Sequence, residues 1–214
     1  MNRMTIDIRT IESMPFAENS YVLRVPGRTD CIVVDPGFEP ELIFELLEDE
    51  GLTLAAILNT HGHVDHIAGN RAMKEKFPNA PIVIGEIDAP MLIDADLNLS
   101  GPFGLPITSP PADRLLNHGD AFEFAGLTFD VRFTPGHSPG HVVLLVRGMN
   151  AVIGGDVLFR EGIGRHDFPG GSFDMLANSI RTQLYTLPDD TVIYPGHGPT
   201  TKIGYEKRNN PFVK

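Results

Sequence analysis

Apolar positions along this chain fall into short runs divided by clusters of Gly, Pro, Asn and Asp. Runs of this kind read as strands, here over residues 5–11, 20–25, 31–34, 55–58, 82–84, 121–124, 127–133, 142–146, 151–154 and 191–194. Phe124-Ala125-Gly126-Leu127 reads as a hairpin turn, and Arg147-Gly148-Met149-Asn150 as another. Three segments carry helical signals instead. Residues 39–50 place Leu42, Ile43, Leu46 and Leu47 on one face, and Gly51 follows as a stop. Residues 66–77 carry Ile67, Met73 and Phe77 and end before Pro78. Residues 173–187 carry Leu176, Ile180, Leu184 and Leu187, with Ser172 or Asp174 near the start. Many strands with interspersed helices predict an α/β fold, sheets packed face to face with helices on the outer faces. The Gly- and Pro-rich stretch 98–113 carries Leu99, Phe103, Leu105 and Ile107 and reads as a surface loop, a candidate lid over a pocket.

Composition narrows the class. A length of 214 residues supports one good core, and the expectation is a single domain over 1–214. The first residues, Met1 to Asp7, lack an apolar signal core, and the longest apolar runs are too short to span a bilayer. A soluble, cytoplasmic protein is expected. The formal charge of −11 argues against nucleic acid and anionic lipid as partners, since both require basic patches. Cys31 is the single cysteine, so no internal disulfide forms. It opens the apolar run Cys31-Ile32-Val33-Val34 and reads as a small core residue rather than a nucleophile.

The chemistry lies in the histidines. Thr60-His61-Gly62-His63-Val64-Asp65-His66 packs four metal-competent side chains into six residues, in a chain with eight histidines. His137, Asp156 and His197 follow later, each after an apolar run and each in a Gly-rich turn: Thr134-Pro135-Gly136-His137, Gly154-Gly155-Asp156 and Tyr194-Pro195-Gly196-His197. One histidine in such a turn is unremarkable, but seven such groups together are not. Imidazole and carboxylate suit zinc, iron or manganese. Residues two apart on extended chain project to the same side, so His61 and His63 can grip one ion while Asp65 and His66 point elsewhere. One tetrahedral ion has no room for all four, which suggests two divalent ions, zinc first, with iron or manganese as alternatives. His137 and His197 can complete one ion each, and Asp156 can bridge. A set without cysteine fits an open catalytic site better than a closed structural one. The predicted chemistry is attack by a metal-activated water.

This motif set, in this order, resembles the metallo-β-lactamase superfamily over a region from about Asn19 to the C-terminus. The resemblance implies an αββα four-layer sandwich with the metals at one edge. It also implies that His61, His63 and His137 hold the first ion, that Asp65, His66 and His197 hold the second, and that Asp156 bridges. Within the superfamily the chain is similar to short glyoxalase II-like hydrolases. The residues carrying this likeness are Asp35-Pro36-Gly37, the segment from Thr134 to His141, Gly154-Gly155-Asp156-Val157-Leu158-Phe159, the loop from Gly162 to Gly171, and Asn210-Pro211-Phe212. Asp rather than Cys at position 156 separates it from β-lactam-hydrolysing members of the Cys-ligand type. Glyoxalase II enzymes of the longer kind carry a C-terminal helical domain that contacts glutathione. Only 17 residues (214 minus 197) follow His197, so that domain is expected to be absent. His166 stands where relatives carry Thr, and a new polar group is expected at the pocket.

Supporting roles follow. Asp35 is expected to orient a ligand loop or imidazole, and His141 to be a hydrogen-bonding neighbour rather than an eighth ligand. His118 reads as an exposed turn residue. Arg165 either clamps a substrate carboxylate or pairs with Asp167, the pairing being favoured. Lys202, Tyr205 and Arg208 are weaker candidates for anion contact. The expected activity is hydrolysis of a small thioester such as S-lactoylglutathione, with Asp65 orienting the nucleophile. The alternative is a mononuclear iron persulfide dioxygenase using His61, His63 and Asp156 or His137. The sequence leaves the oligomeric state open.

Overall fold

A computed structural model describes residues 5–102 and 104–214; Phe103, counted above with the candidate lid, lies outside the described residues. Strands β1 (Asp7–Ser13), β2 (Glu18–Arg24), β3 (Asp30–Val34), β4 (Thr53–Leu58), β5 (Ile82–Gly85) and β6 (Arg114–Leu116) form one sheet in sequential order. The first two pairings are antiparallel and the rest parallel. A second sheet has the order β14-β13-β10-β9-β8-β7, built from β7 (Ala121–Phe124), β8 (Leu127–Phe133), β9 (Val142–Val146), β10 (Ala151–Gly155), β13 (Val192–Pro195) and β14 (Thr201–Lys202). Strands β11 (Leu158–Phe159) and β12 (Gly162–Ile163) make a separate small hairpin.

Period-two alternation explains how the sheets face each other. Tyr21, Leu23, Ile32, Val34, Ala56 and Leu58 point inward from the first sheet, and Leu127, Phe129, Val131, Leu144 and Ile153 meet them from the second. The intervening residues Val22, Cys31, Val33 and Ile57 point outward and pack on helices α1 (Pro40–Asp49) and α3 (Asn70–Lys76) through Ile43, Leu47 and Met73. On the far side Val143, Val152 and Ile193 pack on α4 (Phe173–Ser179) and α5 (Ile203–Asn209) through Leu176, Ala177 and Ile203. The layers therefore run α-β-β-α, as the resemblance implies. Burial of three apolar clusters, rather than helix propensity, holds the helices in place.

Two helical expectations need correction. The segment 66–77 is not one helix: α2 (Val64–Ile67) starts earlier, and α3 restarts after Gly69. Gly69 donates to the Pro36 carbonyl at 2.9 Å, and a Cβ there would sit 2.7 Å from the Gly37 carbonyl. Docking on the Asp35-Pro36-Gly37 turn thus breaks the helix where only glycine fits. The segment 173–187 is α4 followed by a π-helical turn over Ile180–Leu184, which keeps Ile180 and Leu184 both buried. Four strands, β6, β11, β12 and β14, and the helix α5 were not anticipated. Each strand has only two or three residues, too few to display a period.

Candidate metal centre

The ligand-type residues sit where strands end. Past β4 the chain delivers His61 and His63, with His63 capping α2, which carries Asp65 and His66. Beyond β8 comes His137, beyond β10 Asp156, and beyond β13 His197. All seven converge at one edge of the sandwich in three overlapping groups: His61, His63 and His137; His61, His66 and Asp156; Asp65, His66 and His197. Within each group the donor atoms lie within 4.8 Å of one another.

His137 Nε2 stands 2.8 Å from His63 Nδ1 and 3.2 Å from His61 Nε2. Asp156 Oδ2 is 3.5 Å from both His137 Nε2 and His197 Nε2, and its Oδ1 is 3.5 Å from His66 Nε2. Asp65 Oδ2 lies 3.3 Å from His197 Nε2 and 3.7 Å from His66 Nε2. The two carboxyl oxygens of Asp156 thus face different imidazoles.

Four of the five imidazoles are oriented from behind. The Asp35 carboxylate accepts from Thr60 N at 2.8 Å and from Thr60 Oγ1 at 2.7 Å, and meets His66 Nδ1 at 3.2 Å. The single Thr60 hydroxyl proton goes to Asp35, so His61 Nδ1, 3.1 Å from that oxygen, is the donor there. His137 Nδ1 donates to the Arg165 carbonyl at 2.7 Å, and His197 Nδ1 to the Ala17 carbonyl at 3.2 Å. In all four rings Nδ1 is engaged and Nε2 is turned to the centre, the arrangement that fixes a ligand tautomer. His141 Nε2 accepts from Asp156 N at 3.0 Å, and its Nδ1 meets Thr134 Oγ1 at 3.0 Å.

Electrostatics suits cation binding. Burial, reinforced by neighbouring imidazoles, holds His61 and His63 well below the usual imidazole range, and burial lowers His137 too. Neutral rings keep their lone pairs available. Burial works against ionisation of Asp65, yet His66 and His197 beside it hold its carboxyl well below the ordinary range. His66 Nε2 and Asp156 Oδ1 are buried without a hydrogen-bond partner. A divalent cation would satisfy both, and the His/Asp donor set fits one.

Several contributors escaped the sequence reading. Asn19 N donates to the Gly196 carbonyl at 2.7 Å, and Asn19 Nδ2 donates to the carbonyls of Pro195 and Gly198, so β2 clamps the His197 turn from both sides. Glu18 is buried, with its carboxyl raised by that burial, and its Oε1 lies 3.8 Å from His66 Nδ1. Asp88 ties the His137 turn to the neighbouring 3₁₀ turn Ala89–Leu92. A carboxylate or amide in a loop carries no periodic signal, so none of the three stands out in the sequence.

Above the cluster opens a cavity of about 310 Å³. His63, Asp65, His137, Asp156 and His197 form its floor, and Phe16, Leu99, Phe159, Ile163 and Phe168 its walls, with Asn98 and Arg165. The 98–113 stretch therefore supplies one wall. Arg165 takes the favoured alternative: its Nε and Nη2 donate to the two Asp167 carboxylate oxygens at 2.9 and 2.8 Å. His166 is the exception to expectation. It is not among the described lining residues, because its ring turns to Phe173, 5.3 Å between centroids. The weaker candidates Lys202, Tyr205 and Arg208 also lie outside this lining; the Tyr205 hydroxyl donates to Glu161, and Arg208 faces Asp189 at 3.8 Å. His118 is exposed and accepts from Phe133 N at 3.1 Å.

Residues 14–197 match the family model of the metallo-beta-lactamase superfamily. The chain belongs to that superfamily. Curated relatives in it include a probable metallo-hydrolase, YqgX, of Bacillus subtilis, 40% identical over 93% of both chains. Another is the hydroxyacylglutathione hydrolase GloC of Haemophilus influenzae, 39% identical over 86% of this chain and 87% of that one. Among solved structures, the BLEG-1 B3 metallo-beta-lactamase superposes with a TM-score of 0.93 at 38% identity, covering 97% of this chain and all of that one. TTHA1623 in a di-iron-bound form gives a TM-score of 0.84 at 35% identity, over 96% and 100%. ETHE1 from Myxococcus xanthus gives 0.79 at 29% identity, over 96% and 83%. The superfamily consists of metal-dependent enzymes. No helix among the described residues is long and apolar enough to cross a membrane.

Proposed function

We propose that the protein is a binuclear metallohydrolase that cleaves a small thioester of the hydroxyacyl type. The reading rests on one observation: two ligand triads meet across Asp156 at the floor of an apolar cavity. His61, His63 and His137 would hold one divalent ion, Asp65, His66 and His197 the other, with Asp156 shared between them. Zinc suits this donor set, as do iron and manganese. The likeness to a relative named hydroxyacylglutathione hydrolase favours a thioester over other electrophiles.

When bound, such a pair of ions supplies Lewis acidity and brings the pKa of water toward about 7. The chain's own residues do the rest. Asp65, kept ionised, accepts a hydrogen bond from the attacking water and aims it. Phe16, Leu99, Phe159, Ile163 and Phe168 exclude bulk water from the reacting carbonyl. A departing thiolate is a weak base and needs little protonation, so no side chain has to act as general acid. The test is release of thiol from S-lactoylglutathione by metal-loaded protein, with loss of that activity in His63→Ala. Unchanged turnover in the variant contradicts the assignment.

The second reading, an iron persulfide dioxygenase with one ion, gives Asp65, His66 and His197 no ligand role. Their convergence within 4.8 Å therefore favours the hydrolase. Oxygen uptake with glutathione persulfide by protein holding one iron per chain would reverse that preference.

A further inference from the structure

The walls of the cavity bear on the thiol half of the substrate. Arg165 supplies the only Lys or Arg side chain among the described lining residues. Its guanidinium is already paired: two of its five N–H donors go to the Asp167 carboxylate, and its face lies over the Phe168 ring, 4.1 Å from the centroid. Asn98 is the other polar wall residue, and its amide is committed too. Its Nδ2 donates to the Met91 carbonyl at 3.1 Å and to the Ile107 carbonyl at 2.9 Å, and its Oδ1 accepts from Ser100 N at 3.0 Å. What remains on the walls is apolar: Phe16, Leu99, Phe159, Ile163 and Phe168.

We infer that this pocket selects a thioester whose thiol portion is uncharged and apolar, rather than an anionic tripeptide thiol such as glutathione. The inference rests on the thioester reading above and narrows it. A carboxylate carried into the cavity would lose hydration and meet, among the described wall residues, one cation whose charge is already balanced by Asp167, which is costly. The net charge of −11 on the chain adds no attraction for an anion. An aryl or alkyl thiol portion instead buries its surface against four or five apolar side chains, and a volume of about 310 Å³ is at the small end for ligand sites.

Two arms separate this inference from the reading beneath it. In the first, calorimetry on zinc-loaded protein compares two non-hydrolysable probes, benzyl methyl sulfide and S-methylglutathione. The neutral probe is expected to bind at least about tenfold more tightly, and Phe168→Ala to weaken it by roughly threefold or more. A smaller preference, or tighter binding of S-methylglutathione that is lost in Arg165→Ala, overturns the inference. In the second arm, lactoyl thioesters of benzyl mercaptan and of glutathione are compared for thiol release. Higher kcat/KM on the benzyl thioester supports the inference, and higher kcat/KM on the glutathione thioester opposes it. Failure of both to react sinks the thioester reading, while the binding order still decides what the pocket accepts.

Discussion

Asp88 and Ser138 are joined by a 2.5 Å hydrogen bond, from the Ser138 hydroxyl to Asp88 Oδ2, in a fully buried setting. Oδ1 of the same carboxylate accepts from Gly140 N at 2.5 Å, and Gly62 N is a further backbone donor to it. One carboxylate therefore links the His61–His63 loop to the His137 turn. Asp88→Ala leaves buried donors without acceptors, at a cost on the order of 3 kcal/mol. For a protein of this size that corresponds to a fall in Tm of roughly 6–12 °C. Asp88→Asn keeps one acceptor oxygen and should lose less. Calorimetric melting of both variants checks this; a Tm for Asp88→Ala within about 1 °C of the parent would contradict it.

Gly196 precedes His197 and lies against the centre. A Cβ at this position would stand 2.1 Å from Asp156 Oδ1 and 2.7 Å from His66 Cε1. Gly196→Ala should therefore displace the shared carboxylate and the second triad. The expected result is a loss of about tenfold to a hundredfold in affinity for the weaker-bound ion, with the circular dichroism spectrum preserved. Metal titration against a competing chelator measures it.

Arg165 holds the Asp167 carboxyl down, to about 2. A folded-state value below the unfolded one means the pair contributes above the unfolded pKa, about 3.9, and its contribution is lost as pH falls through about 2. The Asp167 side-chain carbon should accordingly titrate near 2 in an NMR pH series. In Arg165→Ala the midpoint should return toward about 3.9. A parent midpoint already near that value would show that the guanidinium is free for other partners.

Burial pushes the Cys31 thiol up to about 12, so almost no thiolate exists at neutral or mildly alkaline pH. A thiol reagent such as dithionitrobenzoate should find no reactive group in the folded protein at pH 8 and one per chain in denaturant. Rapid labelling of the native protein would place Cys31 nearer the surface than its outward-facing position under α1 allows.

Much of this architecture can be read before the structure. The runs that became β7, β8 and β9 match in both boundaries, because apolar residues alternate along β7 and β8, β9 is an unbroken apolar run, and turn residues bracket them. The candidate centre is legible for a different reason: metal chemistry needs side chains of restricted type, and five of the chain's eight histidines fall in this one pattern. Other features depend on contacts the linear sequence does not encode. The break at Gly69 comes from docking on Pro36, over thirty residues away. Asn19 acts on a turn 176 residues distant. His166 and Arg165 sit next to each other in sequence, yet one turns to Phe173 and the other to the cavity rim, a choice set by packing of the 164–171 loop.

The central claim is that two cations lie between these two triads. Elemental analysis of protein dialysed against excess zinc, set beside His63→Ala and His197→Ala, tests it most directly. The account predicts two ions per chain in the parent and close to one in each variant. One ion in the parent, unaffected by His197→Ala, would contradict it.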